Sequence, residues 1–315
     1  MRLSDAYLAD SERGFWRRRD LHGFDYSDGH DVERRILGIV RESDDLSVFS
    51  EELAKAITDW PTQYHLGRGR INLLRPFRNL LKGSVLEIGC GCGAITRALG
   101  EFGADVVALE GSSLRAEIAA TRCRDLGRVT VVCDSFDAFE TVERFDVVTL
   151  IGVLEYARKY FSVEPGNDPV KATLEKARRM LKPGGVFLLA IENQLGLKYF
   201  AGRPEDHNGV PMYGIEDLYG DSDAVTFGKQ ELSGLLSSTG WYHQCWWYPF
   251  PDYKFPISVL SEAGVKSSAD LSPLLQNSVG VDPQRGATSF SLESAWAPVF
   301  RNGLAGVLAN SFVVV

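Results

Sequence analysis

Along this chain the spacing of apolar residues changes once, near residue 84. Before that point they recur at helical intervals. Asp31–Arg41 sets Val32, Ile36, Ile39 and Val40 on one face, and Ser50 is placed to cap a helix from Glu51 that turns Leu53, Ala56 and Ile57 inward. Thr58–Gly69 reads as a loop rich in Trp, Tyr, His and Arg, and Ile71–Leu81 as a helix broken or kinked at Pro76. From Ser84 onward, short apolar runs alternate with amphipathic stretches. The pattern predicts strands at Val85–Ile88, Asp105–Leu109, Val129–Cys133, Phe145–Ile151 and Gly185–Ile191, with helices at Ala94–Phe102, Ser112–Leu126 and Pro169–Leu181. Strands that are apolar throughout belong to a parallel sheet covered on both faces, and right-handed crossovers make that sheet doubly wound.

After Glu192 the rhythm breaks. Asn193–Phe227 is long, polar and aromatic; Phe227–Thr239 returns to helix; Trp241–Tyr248 is a sixth strand; Pro249–Pro298 is a second long insertion; Leu304–Val315 closes as an apolar strand. The expected fold is α/β, a Rossmann-like doubly wound sheet of about seven strands. A helical cap is expected over 1–79 and the main domain over 80–315, with insertions at 193–227 and 249–298 after strands five and six. Long loops in a compact α/β domain are usually functional lids. Ser311–Val315 is either the natural terminus or the point where a longer protein was cut.

Composition narrows the class. The 315 residues are 44% hydrophobic and 24% charged, enough for a sizeable core without disulfides or metals. A net charge of −8 argues against nucleic acid as a partner. Arg13, Arg17, Arg18 and Arg19 form either a local basic patch or a solvated helix face. The five cysteines show no C-x-x-C pair, which fits a reduced cytoplasmic protein. Cys90 and Cys92 are spaced too closely for paired zinc ligands, and no metal constellation is expected. Met1–Asp10 lacks the features of a secretory signal, and no apolar run is long enough to span a bilayer.

The chemistry concentrates in V-L-E-I-G-C-G-C-G at 85–93. A strand delivers Glu87, and the chain then turns through Gly89, Gly91 and Gly93 into a helix whose first N–H groups are free. The glycines alone leave a dinucleotide and S-adenosylmethionine (SAM) both open, because Ala94 stands where the looser dinucleotide pattern tolerates it. Three acids favour SAM. Glu87, ahead of the glycines, repels a pyrophosphate but suits the ammonium of a methionine. Glu110 closes the second strand, where an acid accepts ribose hydroxyls, and Asp134 closes the third, where an acid accepts the adenine amino group.

These residues resemble the first motif of class I SAM-dependent methyltransferases. Phe145–Ala157 (FDVVTLIGVLEYA) resembles that family's fourth-strand motif, and Leu181–Ile191 (LKPGGVFLLAI) its fifth-strand entry. The resemblance implies a final strand antiparallel to the rest, at Ser311–Val315. It implies SAM as methyl donor and S-adenosylhomocysteine as product. Glu87, Gly89, Cys90, Gly91 and Gly93 would surround the methionine part, and Glu110 with Gly111 the ribose. Asp134, Ser135 and Phe136 would border the adenine, and Ile151, Gly152 and Val153 would line the inner side. Residues 58–77 and 190–219 are similar to methyltransferases associated with bacterial O-antigen synthesis, some of them joined to glycosyltransferases. That likeness implies a glycan or sugar-phosphate acceptor; a small molecule of secondary or quinone metabolism is the alternative, and a silent SAM-binding scaffold a third reading.

A hydroxyl acceptor benefits from a general base. The candidates are His65 in the aromatic loop, Glu155 and Tyr156 after the fourth strand, and His207 in the first insertion. Tyr64, Arg70, Arg75, Glu192 and Asn193 are candidates for contact with the acceptor or the SAM carboxylate. Each also has an ordinary structural use, as a cap, a packed aromatic or a solvated charge.

Overall fold

The computed structural model describes residues 5–20, 26–27, 29–280 and 286–315. They fall into two compact units, one of Met1–Leu150 with Arg179–Phe187, the other of Ile151–Arg178 with Leu188–Val315.

The first unit opens with a hairpin, β1 (Tyr7–Asp10) and β2 (Phe15–Arg18). The apolar spacing gave no sign of it: each strand has four residues, and Tyr7 and Phe15 are their fully buried side chains. Arg17 and Arg18 therefore lie on a strand and not on a helix face. Next come α1 (His30–Glu42), α2 (Glu51–Lys55) and α3 (Trp60–Leu66). Ser50 caps α2 as expected, accepting from the Leu53 N–H at 3.1 Å. The stretch expected as loop is partly α3, because Asp59 and Thr62 form a capping box and Pro61 stands in the first turn. Arg68–Leu73 and Arg75–Phe77 are 3-10 turns where one kinked α-helix was expected, since Pro76 supplies no N–H to continue it. Ile36, Leu37, Val40, Leu53 and Leu66 of these helices bury together with Ile118 and Cys92. Each such aliphatic side chain contributes about 1.5–3 kcal/mol.

The sheet of this unit follows the apolar runs: β3 (Ser84–Ile88), α4 (Ala94–Glu101), β4 (Asp105–Glu110), α5 (Ser113–Arg122), β5 (Val129–Cys133) and β6 (Phe145–Ile151). β3 pairs in parallel with β4 on one side and β6 on the other, and β4 continues to β5 and then β2. The chain thus reverses direction across the sheet between β3 and β6, and at such a switch point loops part above the strands' C-terminal ends. The start of β7 (Leu181–Glu192) completes this unit.

The second unit holds α6 (Ala157–Tyr160), α7 (Pro169–Met180) as far as Arg178, the end of β7, α8 (Leu197–Phe200) and α9 (Lys229–Ser238). Then follow β8 (Trp246–Phe250), β9 (Ser258–Ser261), α10 (Glu262–Val265), α11 (Ser272–Val279), α12 (Leu292–Arg301), α13 (Ala305–Leu308) and β10 (Ser311–Val314). β10 runs antiparallel to β7, as the resemblance implied, and β8 and β9 follow it antiparallel. The described residues hold ten strands where about seven were expected. The second insertion is mostly ordered secondary structure, and the expected strand over 304–315 is a short helix followed by β10. Phe250 packs edge-on against Trp296 (5.2 Å), and Trp246 against Phe312 (5.3 Å), so this aromatic cluster is core.

Candidate functional site

The glycine turn of the first unit lies between β3 and α4, at the switch point. Gly89, Gly91 and Gly93 all have positive φ. Gly93 shows why no side chain fits: a Cβ there would lie 2.9 Å from the Ala119 Cα, so α4 and α5 meet at van der Waals distance only through glycine. The Gly89 and Cys90 N–H groups both donate to the Leu109 carbonyl at 2.9 Å, fixing the turn to the end of β4.

Glu87 is buried at 4% exposure, and its Oε2 has no hydrogen-bond partner among the described residues. Burial pushes its carboxyl up to about 8, against the opposing pulls of the Thr96 hydroxyl and of Arg70. Glu110 is held by two turns at once, accepting from Gly91 N at 2.8 Å and Ser112 N at 2.9 Å. Asp134 accepts from the Tyr7 hydroxyl (2.6 Å), the Ser135 N–H (2.9 Å) and the Arg18 guanidinium (3.4 Å). Burial leaves its carboxyl raised despite these donors. Sequence reasoning missed Tyr7 and Arg18, because nothing in a four-residue strand indicates which acid it will reach. Glu87, Glu110 and Asp134 thus stand at the ends of three adjacent strands. Gly111, Ser135 and the half-buried Phe136 follow the second and third of these acids.

On α3, His65 is buried with its ring edge-on to Tyr64 (5.0 Å), and its carbonyl accepts from Arg122. The buried Arg70 guanidinium stacks over Tyr64 at 4.3 Å. Arg75 is exposed and lies over Phe49.

The second unit gathers the remaining candidates. Ile151, Gly152 and Val153 close β6, and the Gly152 N–H donates to the Ala190 carbonyl at 2.9 Å. Gly152 has φ +68°, and a Cβ on it would lie 2.5 Å from the Tyr253 hydroxyl. That hydroxyl donates to Glu192 Oε1 at 3.2 Å. Glu155, in a 3-10 turn after β6, and Glu192, at the end of β7, are 1% and 0% exposed. His207 Nε2 lies 3.7 Å from Glu155 Oε1 and 3.9 Å from Glu192 Oε2, while its Nδ1 lies 2.9 Å from Glu205 Oε1. The Tyr156 ring meets the imidazole edge-on at 5.3 Å. So the turn at 205–209, which could have been solvated, is folded inward.

Charge surrounds this group. Lys254 donates to Glu192 and to Asp206, and Lys198 pairs with Asp206 at 2.8 Å. Burial pushes Glu155 up. It would push Glu192 up too, but the positive charge of Lys254 and His207 holds that carboxyl below its ordinary value. Burial opposes charge on His207, yet Glu192, Glu155 and Glu205 raise it well above the usual imidazole value. Asn193 belongs to the framework: its Nδ2 donates to the Val307 and Ala309 carbonyls at 2.8 and 2.7 Å. Glu205, Asp206, Tyr253 and Lys254 were not legible beforehand. They sit in segments whose only sequence signal was charge among aromatics.

The turn's geometry suits an ammonium-bearing ligand, since a buried carboxylate oxygen without a donor stands beside a backbone that no Cβ screens. The known proteins agree over this part of the chain. Residues 86–187 match the family described as a methyltransferase domain. The ubiquinone biosynthesis O-methyltransferase of Chelativorans sp. (strain BNC1) is 27% identical over 132 residues, 41% of this chain and 47% of that protein. Its counterpart in Proteus mirabilis (strain HI4320) is 30% identical over 127 residues, 39% of this chain and 48% of that protein. The chain spans about half the length of the curated relatives it matches. Among solved structures, phosphoethanolamine N-methyltransferase 2 of Haemonchus contortus, in complex with S-adenosyl-L-methionine, is 16% identical. It covers 78% of this chain and 51% of its own, with a TM-score of 0.43. Over residues 86–187, the stretch that the glycine turn opens, the chain is thus similar to a methyltransferase domain.

Proposed function

We propose that this chain transfers the methyl group of SAM to a hydroxyl of a small organic acceptor. The observation that carries the reading is Glu87, a buried carboxylate with an unsatisfied oxygen at the mouth of the glycine turn. Glu87 would take the donor's ammonium, Glu110 its ribose hydroxyls and Asp134 its adenine edge. Each Glu110 oxygen keeps acceptor capacity beyond its single backbone donor. Bound there, SAM supplies a methyl group already activated on a sulfonium, so the protein's task is alignment and exclusion of water. In the second unit the Tyr253 hydroxyl fills the space beside Gly152 and donates to Glu192. Among Glu155, Glu192 and His207, Glu192, whose carboxyl is held below its ordinary value, is the group suited to accept the proton of an acceptor hydroxyl.

The relatives named for ubiquinone biosynthesis favour a ring hydroxyl as acceptor. A sugar or sugar-phosphate hydroxyl of a surface glycan is the second reading. Its support is the O-antigen-like segment 190–219, which carries Glu192, Glu205 and His207. Methyl transfer from radiolabelled SAM, screened across catechols, hydroquinones, nucleotide sugars and glycans, separates the two. Label in the phenols alone supports the first reading and label in the sugars alone the second. Donor binding without transfer to any acceptor would leave a scaffold.

A further inference from the structure

We infer that Glu155, Glu192 and His207 form a divalent-cation site, taking a borderline ion such as Mn2+ or Zn2+. One ligating atom from each residue lies within 4.8 Å of the other two. The three come from separate segments: the turn after β6, the end of β7 and the loop at 201–210.

Three further observations point to an ion. Glu155 Oε2 and Glu192 Oε2 are buried without a hydrogen-bond partner among the described residues, and the latter oxygen faces His207 Nε2. A buried carboxylate oxygen left without a donor is costly, and a cation in front of it removes that cost. Second, the imidazole is oriented as a ligand. Glu205 Oε1 engages Nδ1, while Glu205 Oε2 is itself held by the His207 and Asn208 N–H groups at 2.8 and 2.7 Å. A carboxylate on one ring nitrogen fixes the tautomer and turns the other nitrogen toward the metal. Third, the charges do not balance. Lys198 and Lys254 pair with Glu192, Asp206 and Asp252, Glu155 and Glu205 pair with His207, and among these described residues five buried carboxylates stand against two ammonium groups and one imidazole. A divalent ion offsets most of the difference.

The donor set selects the ion. One imidazole with two carboxylates suits Mn2+, Fe2+ or Zn2+ better than Mg2+ or Ca2+, which prefer oxygen throughout. Ligands about 2.1 Å from a shared ion stand about 3.0–3.5 Å apart, so the 3.7 and 3.9 Å separations close by about 0.2–0.9 Å, and the two carboxylates, within 4.8 Å of each other, draw together on the same ion. The site stands on this geometry; only its role rests on the proposed transfer. There the ion would hold the acceptor oxygen and lower the pKa of its hydroxyl, the proton passing to solvent or a neighbouring carboxylate.

The full chain, stripped with chelator, is titrated with MnCl2 by electron paramagnetic resonance and with ZnCl2 by calorimetry, and S-adenosylhomocysteine binding is measured on the same sample. One ion per chain is expected. Loss of about 100-fold in affinity is expected for His207→Ala and Glu155→Gln, and about tenfold for Glu205→Gln, which leaves the ligands in place. Wild-type protein that binds neither ion at about 1 mM, or His207→Ala and Glu155→Gln proteins that are folded by circular dichroism and bind as wild type, would overturn the site. S-adenosylhomocysteine binding without metal binding refutes the ion alone. Metal binding without S-adenosylhomocysteine refutes the methyl-donor reading and leaves the ion site standing.

Discussion

Glu87 concentrates the argument in one side chain. Its carboxyl is raised to about 8 by burial, so the folded protein holds a proton that the unfolded chain releases near the ordinary value of 4.5. Folding is therefore favoured below that value, and this group's contribution falls as pH rises toward about 8. An incoming ammonium needs the ionised carboxylate, so donor binding should expel a proton. S-adenosylhomocysteine affinity should climb with pH until about 8, and Glu87→Gln should lower it about 10- to 100-fold and flatten the climb. Calorimetry in buffers of different ionisation enthalpy counts the proton directly, and an unchanged pH profile in the variant would count against the assignment. Gly152 gives an independent test. Gly152→Ala meets the Tyr253 hydroxyl at 2.5 Å and carries a strained φ, so the transition midpoint should fall and methyl transfer should collapse. Adding Tyr253→Phe should restore part of the midpoint; no recovery in the double variant would mean that the strained φ alone causes the loss.

Strands and helices differed in how openly the sequence announced them. β3, β4, β5 and β6 are apolar on both faces, and two of their ranges were read without shift at either end. The hairpin β1–β2 escaped because its strands are short and it lies at an edge, where a polar face costs nothing. Yet it does specific work, bringing Tyr7 to Asp134. Tyr7→Phe should cost about 1–3 kcal/mol in urea unfolding, since it strips a buried acid of a donor. An unchanged midpoint would show that the remaining donors suffice. On α2, Ser50→Ala should cost about 0.5–2 kcal/mol by the same measurement, and a smaller loss would mean that packing of Leu53 holds that short helix without its cap.

For the whole chain, the methyl-donor half of the account was readable in advance and the acceptor half was not. Glu87, Glu110 and Asp134 occupy fixed places relative to consecutive strands, so counting strands located them. Glu155, Glu192 and His207 are brought together by the path of a long loop, and no spacing in the sequence encodes that approach. The methyltransferase family match stops at residue 187, before Glu192 and His207. Among the described residues, no helix is long and apolar enough to cross a membrane. The central claim is that the turn after β3 holds SAM, and calorimetry of the intact chain with S-adenosylhomocysteine tests it most directly. The account predicts one site per chain, abolished by Gly91→Arg, whose side chain would enter the turn. An intact, folded chain that binds no S-adenosylhomocysteine, or a Gly91→Arg protein that binds it as wild type does, would contradict it.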